Sequence, residues 1–313
     1  MELIKFEDYI LKYNSPLAAT IGSFDGIHLG HQSLMKEVVE TAIKNNCKSA
    51  VITFEPHPLT IIKNVVRQNI TSLEEKSLII EKLGIDFLII IDFNKEFSTI
   101  SKYDFVNNYL IKLNVKELIV GDDFKFGKLG EGKASEINFL SNGLINTKIV
   151  KLIEYEMIKI GSSRIINLLN NGEITLVNKL LGYNYFFTGR VIKGNQIGRK
   201  MGFPTCNIDN DNVKKLLKKG VYGVRVYVND LVYLGMMNIG NNPTCNYTEN
   251  LSMEINLFDV NIDLYDQNLK IECICYVRDE VKFNNSNELI EQLKKDKEFI
   301  INKNLMLAKK WEK

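Results

Sequence analysis

The sequence predicts an α/β protein of two domains, a doubly wound parallel sheet followed by a small antiparallel β-barrel with a C-terminal helix. From Leu17 to about Gly182, short continuous apolar runs alternate with amphipathic helical stretches, the pattern of a parallel sheet covered on both faces. Beyond Tyr183 the texture changes to glycine-punctuated strands joined by tight turns, which suits a barrel. A chain of 313 residues also exceeds one ordinary domain of about 100–200 residues. The expected division is 1–183 and 184–313.

The first-domain strands are expected at Leu17–Gly22, Ser49–Phe54, Phe87–Asp92, Glu117–Gly121 and Lys148–Ile153. The helix after His28 places Leu34, Val38 and Ala42 on one face at four-residue spacing, and another helix opens at Ser101 with Asp104 three residues on. Barrel strands are expected at Tyr185–Ile192, Val221–Val228, Leu231–Met237, Met253–Phe258 and Lys270–Tyr276, with Asn229-Asp230 as a hairpin turn. From near Ser286, Leu289, Leu293, Ile300 and Leu307 amid Lys and Glu mark an amphipathic helix on the barrel. Lys214, Lys215, Lys218 and Lys219 read as a solvated helix face.

Composition narrows the function classes. With 40 basic and 38 acidic side chains the formal charge is +2, so no whole-molecule field draws nucleic acid or an anionic membrane. Glu2, Lys5, Glu7 and Asp8 interrupt any signal core, and the apolar run Phe87–Ile91 is too short to span a bilayer; the expectation is a cytoplasmic protein. Five cysteines without a CxxC pair suggest neither a disulfide framework nor a thiolate zinc site. The chain has three histidines, and chemistry is sought around them.

Two of those histidines lie in Gly22-Ser23-Phe24-Asp25-Gly26-Ile27-His28-Leu29-Gly30-His31, which leaves the first expected strand and runs into a helix. A doubly wound sheet binds ligands at such a place. Glycines allow close backbone approach, free N–H groups at a helix start favour anions, and His28 and His31 share the face of the first turn, where both can donate to one phosphate chain. Phe54-Glu55-Pro56-His57-Pro58 and Gly121-Asp122-Asp123-Phe124 leave other strand ends toward the same crevice, and Ser162-Ser163-Arg164 joins hydroxyls to a cation at a helix start, a phosphate clamp.

The second constellation runs from Gly189 to Asn207, with Gly194, Arg199 and Gly202 in a glycine-rich, cationic stretch that suits a polyphosphate. No GxxxxGK[ST] string occurs. Pro204-Thr205-Cys206-Asn207 ends it, and Thr205 and Asn207, two apart, can direct oxygens toward one magnesium ion also held by ATP. Strand alternation separates Glu254 and Asn256 from Met253, Ile255 and Leu257, leaving Glu254 as a candidate base for an attacking hydroxyl; Asn238 opens another ligand-side loop.

With these motifs in order, the sequence resembles the bifunctional bacterial riboflavin kinase/FMN adenylyltransferases, the FAD synthetases of prokaryotes, over nearly its whole length. The resemblance implies a nucleotidyltransferase-like first domain, in which His28 and His31 hold ATP phosphates while FMN attacks the α-phosphorus and pyrophosphate leaves. Gly22, Phe24, Asp25, Gly30, Ser162, Ser163 and Arg164 fall on its ATP side. It implies a riboflavin-kinase barrel that binds ATP and magnesium through Pro204, Thr205 and Asn207, with Glu254 as base. His57, Asp123, Phe124 and Asn238 are expected on the flavin side, flavin being substrate and product.

Two positions depart from the family pattern. Cys206 replaces an alanine, a small-for-small exchange. Gly161-Ser162-Ser163-Arg164-Ile165-Ile166 resembles Ser-Ser-Thr-Arg-Ile-Arg with its second arginine replaced by Ile166, which removes a charge-assisted contact from the adenylyltransferase half. Three alternatives stay open on these residues: a kinase with an impaired adenylyltransferase half, a nucleotidyltransferase with another acceptor such as pantetheine phosphate or nicotinamide mononucleotide, and a flavin-binding regulatory protein. The expected partners are riboflavin, FMN and ATP; the oligomeric state is not legible.

Overall fold

A computed structural model of the chain describes residues 1–65, 68–151, 153–193, 203–209, 217–241, 251–260 and 262–311. Contacts divide the chain into two compact units, Met1–Ser162 and Ser163–Lys313.

The first unit is built on a six-stranded parallel sheet. Its strands are β1 (Glu2–Lys5), β2 (Leu17–Ile21), β3 (Lys48–Glu55), β4 (Phe87–Asp92), β5 (Val115–Gly121) and, after the short hairpin β6 (Lys125–Phe126) and β7 (Gly132–Lys133), β8 (Asn146–Val150). The order is β1-β4-β3-β2-β5-β8, every pair parallel. From β2 the chain steps outward through β3 to β4, then returns to the other side of β2 for β5. The direction of winding reverses between β2 and β5, so a crevice opens at their carboxyl ends. All five residues of β2 are buried, and Leu17, Ala19, Ile21, Ile52, Ile89, Leu118 and Val120 belong to one core cluster.

Helices α1 (Phe6–Lys12), α2 (Leu29–Lys44), α3 (Pro58–Lys63), α4 (Leu73–Lys82), α5 (Lys102–Phe105) and α6 (Ile137–Leu140) complete the unit. The expected face of α2 is buried, Leu34, Val38 and Ala42 together with Met35. Ser101 caps α5 as its spacing predicts, its Oγ accepting from the Asp104 N–H at 3.1 Å. Strand β1 escaped the sequence reading because it holds only an adjacent Leu3-Ile4 pair between Glu2 and Lys5; pairing with β4, Glu2 opposite Phe87, identifies it.

A two-stranded hairpin, β9 (Glu154–Tyr155) and β10 (Ile158–Lys159), precedes α7 (Ser162–Asn170) and α8 (Ile174–Leu181). Both helices lie before the expected boundary at 183/184, and from Ser163 on their residues belong to the second compact unit. Asn178 of α8 donates to the Cys273 carbonyl at 2.9 Å and accepts from the Tyr185 N–H at 2.8 Å.

The second unit is a closed barrel of β11 (Phe186–Ile192), β12 (Thr205–Ile208), β13 (Gly220–Val228), β14 (Leu231–Asn241), β15 (Leu251–Leu257) and β16 (Asn268–Arg278), ordered β11-β12-β15-β14-β13-β16. The sequence reading contained five of these six. Strand β12 is too short and polar to announce itself, and it forms by pairing β11 on one side and β15 on the other. The C-terminal helix (Ser286–Trp311) covers the outer face, where Ile300 joins Val221, Met236 and Phe258 with Leu293 packed alongside. Since Met236 faces outward, alternation turns Met237 and Ile239 into the barrel, where both are fully buried. Lys218 and Lys219 correct an expectation: they precede β13 outside any helix, and Lys218 pairs with Asp279 at 2.6 Å over the Tyr276 ring. Lys214 and Lys215 lie outside the described residues.

No disulfide links the described cysteines. No described helix is long and apolar enough to cross a membrane.

Asp296 of the C-terminal helix, 2% exposed, receives the Arg278 guanidinium at 2.9 Å and Gln292 at 2.8 Å. Removing one partner of such a pair strands a buried charge. Asp296→Ala is therefore expected to lower barrel stability by about 3–5 kcal/mol, read as an earlier urea transition by circular dichroism.

Candidate active sites

The turn after β2 holds its backbone in unusual conformations. Phe24 and Ile27, neither of them glycine, sit at φ +45° and +33°, with Gly26 at +82° between them. Left-handed conformations of this kind cost of order 1–3 kcal/mol each and persist only where surroundings impose them. The surroundings do so here. Asp25, 1% exposed, accepts through Oδ1 from the Ile70 and Thr71 N–H groups at 2.7 and 3.3 Å. The Gly26 N–H donates to Thr71 Oγ1 at 3.0 Å, and Ser162 Oγ donates to the Asp25 carbonyl at 2.8 Å. The Asp25 carboxylate thus faces into the fold as a fastener of the turn.

This turn delivers the histidines. His28 is the N-cap of α2, its Nδ1 accepting the His31 N–H at 3.4 Å. Folding back in this way stacks the two imidazoles, centroids 3.6 Å apart and planes 19° apart, with the Phe24 ring edge-on to His31 at 5.2 Å. Gly30 makes the stack possible, because a Cβ there would meet His28 Nδ1 at 3.2 Å. Phe24 in turn lies against Gly22, where a Cβ would come within 3.2 Å of its ring.

Burial pushes the His28 pKa down to about 4; the nearby Lys159 charge lowers it further and Asp123 opposes. His31 is held well below its ordinary value by burial first, then by His28 and Lys76. Both rings are neutral near pH 7. Because His28 Nδ1 is an acceptor, its proton sits on Nε2, and each ring is an uncharged donor. His31 Nδ1 is buried without a hydrogen-bond partner among the described residues.

The other expected residues of this half take the following places. His57 caps α3, its Nδ1 accepting the Leu59 N–H at 3.1 Å. Asp123, in the loop after β5, forms an ion pair with Lys159 of β10, and Phe124 packs on the core cluster. Ser162 reaches the turn, whereas Ser163, Arg164 and Ile166 continue α7 in the second unit. Sequence reasoning missed Lys159, the Ile70-Thr71 segment and Lys76, a buried lysine beneath the turn. None belongs to a motif, and two lysines among 40 basic residues carry no signal of their own.

In the barrel, pairing assembles what the sequence holds far apart. Asn207 of β12 is opposite Glu254 of β15, which is opposite Asn238 of β14. Residues paired directly share a sheet face about 5 Å apart, so the three form a row. Thr205 is opposite Asn256, whose amide donates to the Pro204 carbonyl at 2.8 Å and pins the start of the strand. Thr205 also lines a cavity of about 230 Å³, with Val191, Pro204, Cys206, Leu264 and Tyr265 among its other residues. Burial pushes the Cys206 thiol up to about 11, so it serves there as a small apolar group. Gly194, Arg199 and Gly202 lie outside the described residues.

The chain is similar to known proteins along most of its length. The FAD synthetase family model matches residues 10–164 and the riboflavin kinase model residues 181–303. The bifunctional riboflavin kinase/FMN adenylyltransferase of Listeria monocytogenes is 38% identical over 280 residues, 89% of each chain, and that of Bacillus subtilis 39% identical over 282 residues, again 89% of each. A crystal structure described as a macrolide-efflux protein from Streptococcus pneumoniae is 28% identical, with a TM-score of 0.88 over 96% of this chain and 99% of that one. The chain belongs to the family of bifunctional riboflavin kinase/FMN adenylyltransferases.

Proposed function

We propose that the chain is a cytoplasmic, ATP-dependent enzyme that phosphorylates riboflavin at its 5′-hydroxyl in residues 184–313 and adenylylates the resulting FMN to FAD in residues 1–183. The observation that carries this reading is the presence of two separate clusters of ligand groups, the stacked histidines in one unit and the Asn207–Glu254–Asn238 row in the other.

In the barrel, Glu254 accepts the hydroxyl proton as the oxygen attacks the γ-phosphorus of ATP, the bond to the bridging oxygen breaks and ADP leaves, while Asn238 beside it orients the flavin. Thr205 and Asn207, on one face of β12, offer neutral oxygens of the kind magnesium takes when ATP phosphates and water fill the rest of its shell. Magnesium bound there supplies neutralisation of phosphate charge. The cavity beside Pro204 and Cys206 suits the nucleotide base.

In the first unit, the Nε2–H of His28 and the His31 imidazole donate to the triphosphate, together with N–H groups at the start of α2. As neutral donors they stabilise charge growing on the leaving pyrophosphate. The FMN phosphate is itself the nucleophile, so no protein nucleophile is required; His57, Asp123 and Phe124 serve the flavin side. Ser162, the last residue of this unit, adds a phosphate contact. Ile166 supports a second reading, a working kinase beside a weak adenylyltransferase.

A time course with riboflavin, ATP and magnesium separates the two readings: FMN rising first and FAD following supports both activities, and FMN accumulating without FAD supports the second. His28→Ala is expected to reduce FAD formation at least a hundredfold with FMN formation retained. Glu254→Ala is expected to do the reverse when FMN is supplied. Loss of both activities in one folded variant contradicts two separate sites.

Gly30→Ala tests the stack. Alanine improves helix propensity by up to about 1 kcal/mol, so stability holds, while displacement of the His28 ring lowers FAD formation roughly tenfold in steady-state assays.

A pH profile tests the charge state. With His28 at about 4 and His31 also held well below its ordinary value by burial, protonation does not begin until well below neutrality. The kcat/KM for FMN adenylylation is expected to show no ascending limb as pH falls from about 8 to 6, where an ordinary histidine near 6.5 would titrate.

A further inference from the structure

Lys76, on α4, is 6% exposed, and among the described residues its ammonium has uncharged hydrogen-bond partners. Nζ donates to the Ser23 carbonyl at 2.7 Å and to Thr53 Oγ1 at 3.2 Å, and Thr53 Oγ1 itself reaches the Ser23 carbonyl at 3.3 Å. Burying an ammonium group among neutral oxygens is unfavourable, by several kcal/mol per ion before compensation. Burial draws its pKa down, with Asp25 and Glu55 opposing through space. A methionine would fill the same volume without that penalty, so packing alone does not account for a charge at this position.

The partner atoms show what the charge does. Ser23 is the residue before Phe24, the first left-handed position of the turn. In a trans peptide the carbonyl and the following N–H point in opposite directions. With the Ser23 carbonyl drawn down onto Lys76, the Phe24 N–H faces the other way, and it donates to no group among the described residues. The lysine charge also reaches His31, whose protonation it disfavours. One buried cation therefore acts on both donors of the turn, the backbone N–H and the neutral imidazole.

We propose that Lys76 is a positioning residue for adenylyl transfer: by clamping the Ser23 carbonyl and the end of β3 it turns the Phe24 N–H toward the ATP phosphates and places a buried positive charge behind them. This rests on the reading that His28 and His31 hold those phosphates. It adds a residue outside the motif that works through the turn.

The test uses Lys76→Met in the full chain, with barrel phosphorylation of riboflavin as an internal control. The expected result is a rise of at least tenfold in the KM for ATP in FMN adenylylation, an unchanged KM for FMN, unchanged riboflavin phosphorylation, and a melting temperature that holds or rises. A folded Lys76→Met with an unaltered KM for ATP overturns the proposal. If Lys76→Met does not fold, Lys76→Gln is read the same way, and failure of both to fold assigns the lysine to folding alone and also overturns it. His28→Ala in parallel separates the two levels: full FAD formation there removes the underlying reading, whatever Lys76 does.

Discussion

The nucleotide end of the first unit depends on holding two non-glycine residues, Phe24 and Ile27, in left-handed conformations within one short turn. Such a turn does not persist by itself. Asp25 fastens it to the Ile70-Thr71 backbone, Ser162 ties it from the far side of the sequence, and Lys76 holds it from beneath. Each fastening comes from a different segment, so the strained geometry exists only when the whole unit is assembled. Ring stacking, the neutral charge state of the histidines and the direction of the Phe24 N–H are all consequences of that one backbone path.

Charge is handled differently in the two halves. At the turn, burial keeps both imidazoles uncharged, so the donors proposed to meet a triphosphate are neutral and already desolvated, and no proton has to move before they act. In the barrel, the candidate base Glu254 lies between two asparagines in a row set by strand register. Amides beside a carboxylate can donate to it and to a substrate hydroxyl without removing its negative charge. Both arrangements favour positioning over covalent chemistry, which fits phosphoryl and nucleotidyl transfer.

Much of the architecture was legible in the sequence because apolar periodicity reports burial directly. The continuous runs at Leu17, Ala50 and Leu88 are buried strands, and the four-residue spacing after His28 is the core face of α2. What escaped were elements whose residues carry no pattern of their own. Strands β1 and β12 have four residues each and exist through pairing. Lys218 and Lys219 read as a helix face because charge runs usually are one, yet the chain there is already entering β13.

The sequence alone determined the two-part organisation, the position of the histidine turn at a strand-to-helix junction, and the family to which the motifs belong. Those are local properties, set by periodicity and by residue types close together along the chain. Tertiary structure decided which groups meet: Lys76 under Ser23, Asp25 turned inward, and Asn207, Glu254 and Asn238 in one row. These depend on strand register and on the burial of single polar groups, and both arise only when distant segments pack.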